Sequence, residues 1–183
     1  CMKRIVAAPT AGSCGVLPAV LISYQEKTKC VDEKITEALF VAAGIGEILA
    51  WRASIAGAQG GCQAEIGSAS AMAAGALVHL QGGSTEQIVH AAAIALKGLL
   101  GLVCDPVAGL VEVPCVKRNV IGAVNAVTSA DMSMAGIRSV IPPDEVIDAM
   151  DEIGQNMDRQ YRETSEGGLA VTKTGQEITE RLH

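Results

Sequence analysis

Three cysteines, at positions 62, 104 and 115, stand in contexts suited to bringing thiols together. These are Gly60-Gly61-Cys62-Gln63-Ala64-Glu65, Cys104-Asp105-Pro106-Val107-Ala108-Gly109 and Val113-Pro114-Cys115-Val116-Lys117-Arg118-Asn119. A glycine or proline lies close to each, which places each thiol at a helix end or in a turn. Side chains from separate segments can converge there, and converging thiolates can hold an iron–sulfur cluster. Three thiolates on a [4Fe-4S] cube would leave one iron open to substrate, a Lewis acid rather than only an electron carrier. The intervals of 42 and 11 residues match no common ferredoxin pattern. Cysteine is also a frequent core residue, so spacing alone leaves three buried free thiols as the alternative.

Other residues could act beside such a centre. Thr10, Gly12 and Ser13 offer a hydroxyl and free backbone N–H groups leading into a helix, a natural place for a carboxylate; the alternative is an ordinary capping turn. Arg118 could pair with a substrate carboxylate or neutralise an anionic cluster, with Asn119 next to it; the alternative for Arg118 is a solvated charge. Glu65 and Asp105 each neighbour a candidate ligand and read as groups that orient polar partners, leaving the catalytic base unknown. Cys14 reads as pocket-lining or structural, Cys30 as a partly exposed thiol, and Cys1 says little. His79, His90 and His183 show no metal spacing.

The elements that must position these residues read as helices. Aromatics make up 2% of the chain against 49% hydrophobic residues, with 20 glycines. A core of Ala, Val, Ile, Leu and Met with close backbone approach favours packed helices over a β-sandwich. Helices are expected from Val16 to about Thr28, and from an N-cap at Asp32 along the stripe Ile35, Leu39, Ala42, Ala43, Gly46 and Leu49. Others follow over roughly Gln63 to Leu80, from Thr85 to about Val103 behind a capping box at Ser84–Gln87, from about Asn119 to Ile137, and from Pro143 to about Arg162. The Gln63–Leu80 run is nearly all small residues and should lie centrally. The expectation is an all-α, compact bundle of five to six helices in a single domain over residues 1–183, with a polar tail over 162–183 that is loose.

The net charge of −6 and the lack of a basic patch with aromatics argue against nucleic acid as a partner. Charged residues such as Glu47, Glu65, Lys97 and Asp131 interrupt every apolar run before it reaches membrane-spanning length. Six cysteines without a visible secretory signal suggest a reducing, cytoplasmic setting.

The motifs resemble the α chain of the iron–sulfur-dependent L-serine dehydratases of bacteria. The resemblance covers essentially the whole chain. It is carried by Ala8-Pro9-Thr10-Ala11-Gly12-Ser13-Cys14-Gly15, Gly61-Cys62-Gln63-Ala64-Glu65, Cys104 to Gly109, and Val113-Pro114-Cys115 with Arg118-Asn119. It implies Cys62, Cys104 and Cys115 as ligands of a [4Fe-4S] cluster and β-elimination from L-serine to give pyruvate and ammonia. It also implies contacts to substrate from Thr10, Gly12, Ser13, Arg118 and Asn119, and a β chain or β domain in an oligomer. Relatives carry further residues before the Ala8-Pro9-Thr10 motif, so the chain is expected to be an N-terminally truncated piece. Two departures stand out: Ala11 where relatives often have Asn, and Lys117 where they often have an acid. The rivals are a cysteine desulfidase of similar cluster chemistry and a non-catalytic cluster sensor or structural subunit.

Overall fold

Helix α1 spans Val16–Thr28, α2 Asp32–Arg52, the short α3 Gly57–Gly60, α4 Ser68–Leu80 and α5 Thr85–Lys97. They are followed by α6 at Cys115–Met134, α7 at Pro143–Asn156 and α8 at Lys173–Leu182. The computed structural model describes residues 6–182, and these eight α-helices and a few short turns are its regular structure. Cys1 and His183 lie outside the described residues. Six of the helices are at least 13 residues long, in line with the all-α expectation.

Small side chains set the packing distance. Every residue of α4 from Ser68 to Val78 is buried, and α1, α2, α5 and α6 all pack around it. Gly75 marks the tightest crossing: a Cβ there would collide with Ile45 of α2 and lie 3.2 Å from Ile88 of α5. Close approach also rotates α2 from its expected stripe. Ala38, Ala42, Gly46 and Leu49 face inward, while Leu39 and Ala43 are exposed. The smallest residues win the contact because they let the helix axes come nearest.

The capping box of α5 forms as read, with Ser84 accepting from the Gln87 N–H and the Gln87 side chain accepting from the Ser84 N–H. Three helix ends differ from expectation. Helix α5 stops at Lys97 because the glycines at 98 and 101 follow, the second at φ 80°. Helix α6 starts at Cys115, because Pro114 takes the N-cap position and needs no amide partner there. Helix α7 ends at Asn156, short of Arg162. The polar tail, expected to be loose, carries helical structure. Two short 3₁₀ turns, Arg159–Tyr161 and Gly168–Val171, lead to α8, which packs on the Val107–Gly109 turn. Among the described residues no helix is long and apolar enough to cross a membrane.

A candidate thiolate metal centre

Cys62, Cys104 and Cys115 come from three separate segments and meet in the interior, at 1%, 2% and 5% exposure. The Cys62 thiol lies close enough to those of Cys104 and Cys115 for both to shift its proton affinity. Its Sγ, the Sγ of Cys104 and a Glu65 carboxylate oxygen all lie within 4.8 Å of one another. All five described cysteines are free thiols.

Each thiol is placed by its own element. Cys62 immediately precedes a wide π-type turn, Gln63–Gly67, that feeds α4. The buried Gln63 side chain locks that turn, donating to Met150 O at 2.9 Å and accepting from the Gly101 N–H at 2.9 Å. Its backbone N–H adds a bond to Leu102 O. Cys115 is the first residue of α6, where the helix dipole favours a thiolate. Cys104 is held by the polar tail: its N–H donates to Tyr161 O and its carbonyl accepts from the Glu163 N–H, both at 2.8 Å.

Arg118 lies under this cluster. Its Nη1 donates to Cys62 Sγ at 3.6 Å and to Val103 O at 2.8 Å. The same nitrogen is 2.8 Å from Asp105 Oδ1, an ion pair off the hydrogen-bond axis. Asp105 is itself buried and accepts from the Leu169 N–H through Oδ2. Gly168 is necessary for that last contact. It sits at φ 60°, and a Cβ would fall onto the Asp105 carboxylate.

Glu65 reaches the cluster from the π-type turn. Thr10 Oγ1 donates to Glu65 Oε1 at 2.6 Å, and a Cβ on Gly12 would stand 3.0 Å from both carboxylate oxygens. The N–H groups of Gly12 and Ser13 make no hydrogen bond among the described residues. Ser13 itself is fully buried, with its hydroxyl 3.0 Å from that of Thr10. Asn119 holds this turn against α6. Its Nδ2 donates to Gly12 O and Cys115 O, and its Oδ1 accepts from the Gly15 N–H. The Asn119 amide is therefore used up inside the protein and shapes the turn rather than reaching beyond it.

The electrostatics show an excess of acidic groups. The bond with Cys104, opposed by Cys115, and then burial push the Cys62 thiol from 9.0 up to about 12. Contact with Cys62 and then burial push Cys115 up as well. Burial raises Glu65, against the Thr10 hydrogen bond, and Glu163 raises it further. Burial alone would lower the pKa of Arg118, but Cys62 and Asp105 more than offset that. Arg118 touches Cys62 and Asp105, at a site that gathers three thiols and two buried or half-buried carboxylates. Soft thiolates, converging and short of positive charge, fit a thiolate-held metal group.

The structure thus brings Cys62, Cys104, Cys115, Glu65, Arg118, Asp105 and Thr10 together. Cys14 lines a cleft of about 400 Å³ with Gly12, Cys115 and Asn119, and Cys30 is half-buried elsewhere. Lys117 is exposed. His79 lies 3.7 Å from Glu37, and His90 accepts from the Ser139 N–H, both away from the thiols. Sequence reasoning missed Gln63, Gly57 and Glu163. A polar residue beside a ligand and a glycine trio at 57, 60 and 61 were the available signals.

A family profile described as Serine dehydratase alpha chain matches residues 1–170. The chain is 58% identical over 181 residues to the probable L-serine dehydratase, alpha chain, of Bacillus subtilis, covering 99% of this chain and 60% of that protein. It is 53% identical over 177 residues to the L-serine dehydratase, alpha chain, of Peptoniphilus asaccharolyticus, with 97% and 61% covered. With the probable alpha chain of Latilactobacillus sakei it shares 57% over 174 residues, covering 95% and 83%. The chain therefore spans about 60% of the length of the first two relatives. On this evidence of sequence and site together, the chain belongs to the serine dehydratase alpha chain family.

Proposed function

We propose that this chain carries the catalytic centre of an L-serine dehydratase, with Cys62, Cys104 and Cys115 as the metal ligands. The observation that carries the reading is the meeting of three buried thiols beside Arg118 and Glu65 in a chain of this family. A [4Fe-4S] cluster bound there would supply an open iron that draws charge from the substrate hydroxyl and carboxylate. The reaction removes the Cα proton and the Cβ hydroxide of L-serine, and the resulting aminoacrylate hydrolyses to pyruvate and ammonia.

The chain's own residues divide the remaining work. Arg118 places positive charge on Cys62 and offsets part of the upward push on its thiol. Asp105, anchored by the Leu169 N–H, holds Arg118 in that position. The Thr10–Ser13 turn presents two free N–H groups at the approach to α1, suited to the substrate carboxylate. Asn119 fixes the turn at the height of Cys115. Burial of all three thiols excludes water from the ligand bonds.

The same reading assigns a β chain or β domain as partner, in an oligomeric enzyme of the cytoplasm. Phe40 and Trp51 on α2 are 76% and 84% exposed, and Val120 and Val124 leave an apolar face on α6. Apolar faces of this kind suit permanent partners.

Anaerobic reconstitution followed by electron paramagnetic resonance, before and after L-serine, tests the function. A [4Fe-4S] signal that changes with serine is the expected result. A cluster blind to serine would favour a sensor, and no cluster at all would return the thiols to the core. Parallel assay of serine and cysteine with the partner present separates dehydratase from desulfidase.

A further inference from the structure

The three thiols leave one polar group among them unexplained, the Glu65 carboxylate, and its surroundings are those of a ligand. One of its oxygens lies within 4.8 Å of the Cys62 and Cys104 sulfurs. Its two oxygens are treated differently by the protein. Thr10 donates to Oε1 at 2.6 Å, whereas among the described residues no hydrogen bond reaches Oε2. Among the described residues no cation pairs with it, and Arg118 is already shared by Cys62, Val103 O and Asp105. Glu163 adds a further negative charge that acts on the same carboxylate. A half-buried carboxylate oxygen left without a partner is costly, and a metal among the thiols would give Oε2 one.

Two glycines keep this position open. A Cβ on Gly57 would come within 2.9 Å of Glu65 Oε2 and 3.3 Å of Cys104 Sγ, and one on Gly12 would press on both oxygens at 3.0 Å. Any larger residue at either site would push the carboxylate away from the thiols. We propose that Glu65 is the fourth protein donor of the thiolate-held metal centre at rest, binding through Oε2 at the position that substrate later takes. The proposal rests on the cluster reading given above.

The exchange conserves charge. An incoming carboxylate replaces another anionic oxygen at the metal, and Thr10 retains the displaced Glu65 by its other oxygen. Small carboxylates should therefore displace Glu65, whereas neutral amides and alcohols of the same size should not.

The test uses the reconstituted, reduced chain and electron–nuclear double resonance. Parent protein grown with glutamate carrying the magnetic carbon isotope in its side-chain carboxyl should show coupling of that carbon to the cluster. L-Serine should remove the coupling. Water enriched in the magnetic oxygen isotope should leave the parent signal sharp and broaden that of Glu65→Gln, which keeps the size and the Thr10 bond but ligates poorly. Glu65→Gln should also lose iron to a chelator about tenfold faster. A fully loaded parent with no carbon coupling, and with water broadening equal to the variant's, would overturn the proposal while leaving the cluster reading intact. A parent that loads no cluster would overturn both. If Glu65→Gln fails to load, the carbon coupling in the parent decides alone.

Discussion

Asp105 and Arg118, thirteen positions apart in the chain, form an ion pair of 2.8 Å directly behind Cys62. Neither partner is free to relax, since Asp105 is also fixed by the Leu169 N–H and Arg118 by Val103 O. Removing one member of a buried pair strands the other. Asp105→Ala should therefore destabilise the metal-free chain by about 3 kcal/mol, measured by urea unfolding, and Arg118→Met in the same background should recover part of that loss. A double variant no better than Asp105→Ala alone would show that the pair does not carry the effect.

Cys62 is the thiol shared by both other thiols, so it should be the least replaceable. Cys62→Ser should abolish cluster retention, with iron falling from about four per chain to near none after anaerobic desalting. A Cys62→Ser protein that retains the parent's iron content would remove Cys62 from the ligand set.

The Asn119 amide makes three hydrogen bonds, two of which join the residue 12–15 turn to α6. Asn119→Ala should cost about 2 kcal/mol and weaken the response to serine more than the iron content. Titrating the spectral change against L-serine, with iron measured on the same samples, checks this split.

The metal-free chain should respond to alkali. The Cys62 thiol is pushed from 9.0 to about 12 in the fold, so the folded state disfavours the thiolate. The stabilising contribution is complete below pH 9 and is lost as pH rises toward about 12. Cys115 is shifted in the same direction. Thermal unfolding temperature should fall over that window, and Cys62→Ala should flatten the profile.

Gly168→Ala tests the C-terminal support. Positive φ and collision with Asp105 should together cost about 2 kcal/mol and loosen Arg118 from Cys62. Faster iron loss at unchanged helix content would be the signature.

The helical class and the central position of α4 were legible because small residues run unbroken from Ser68 to Ala71 and resume at Ala73. The inward face of α2 was read wrongly at Leu39, since hydropathy ranks Leu above the neighbouring Ala38 that close packing turns inward. The three thiols stood out as a candidate set only through their motifs; nothing in their intervals says that Cys62 and Cys104 meet. The Thr10–Glu65 bond spans 55 residues and has no local signature. Structure in the tail was invisible for the same reason: its main-chain bonds to Cys104 depend on a partner more than fifty residues away.

The Asn119 bridge to Gly12 and Gly15 has a consequence in time. The residue 12–15 turn is synthesised more than a hundred residues before the helix that supplies the group fixing it. Cys62 likewise waits for Cys104 and Arg118. A growing chain therefore cannot bring the three thiols together until α6 has been made.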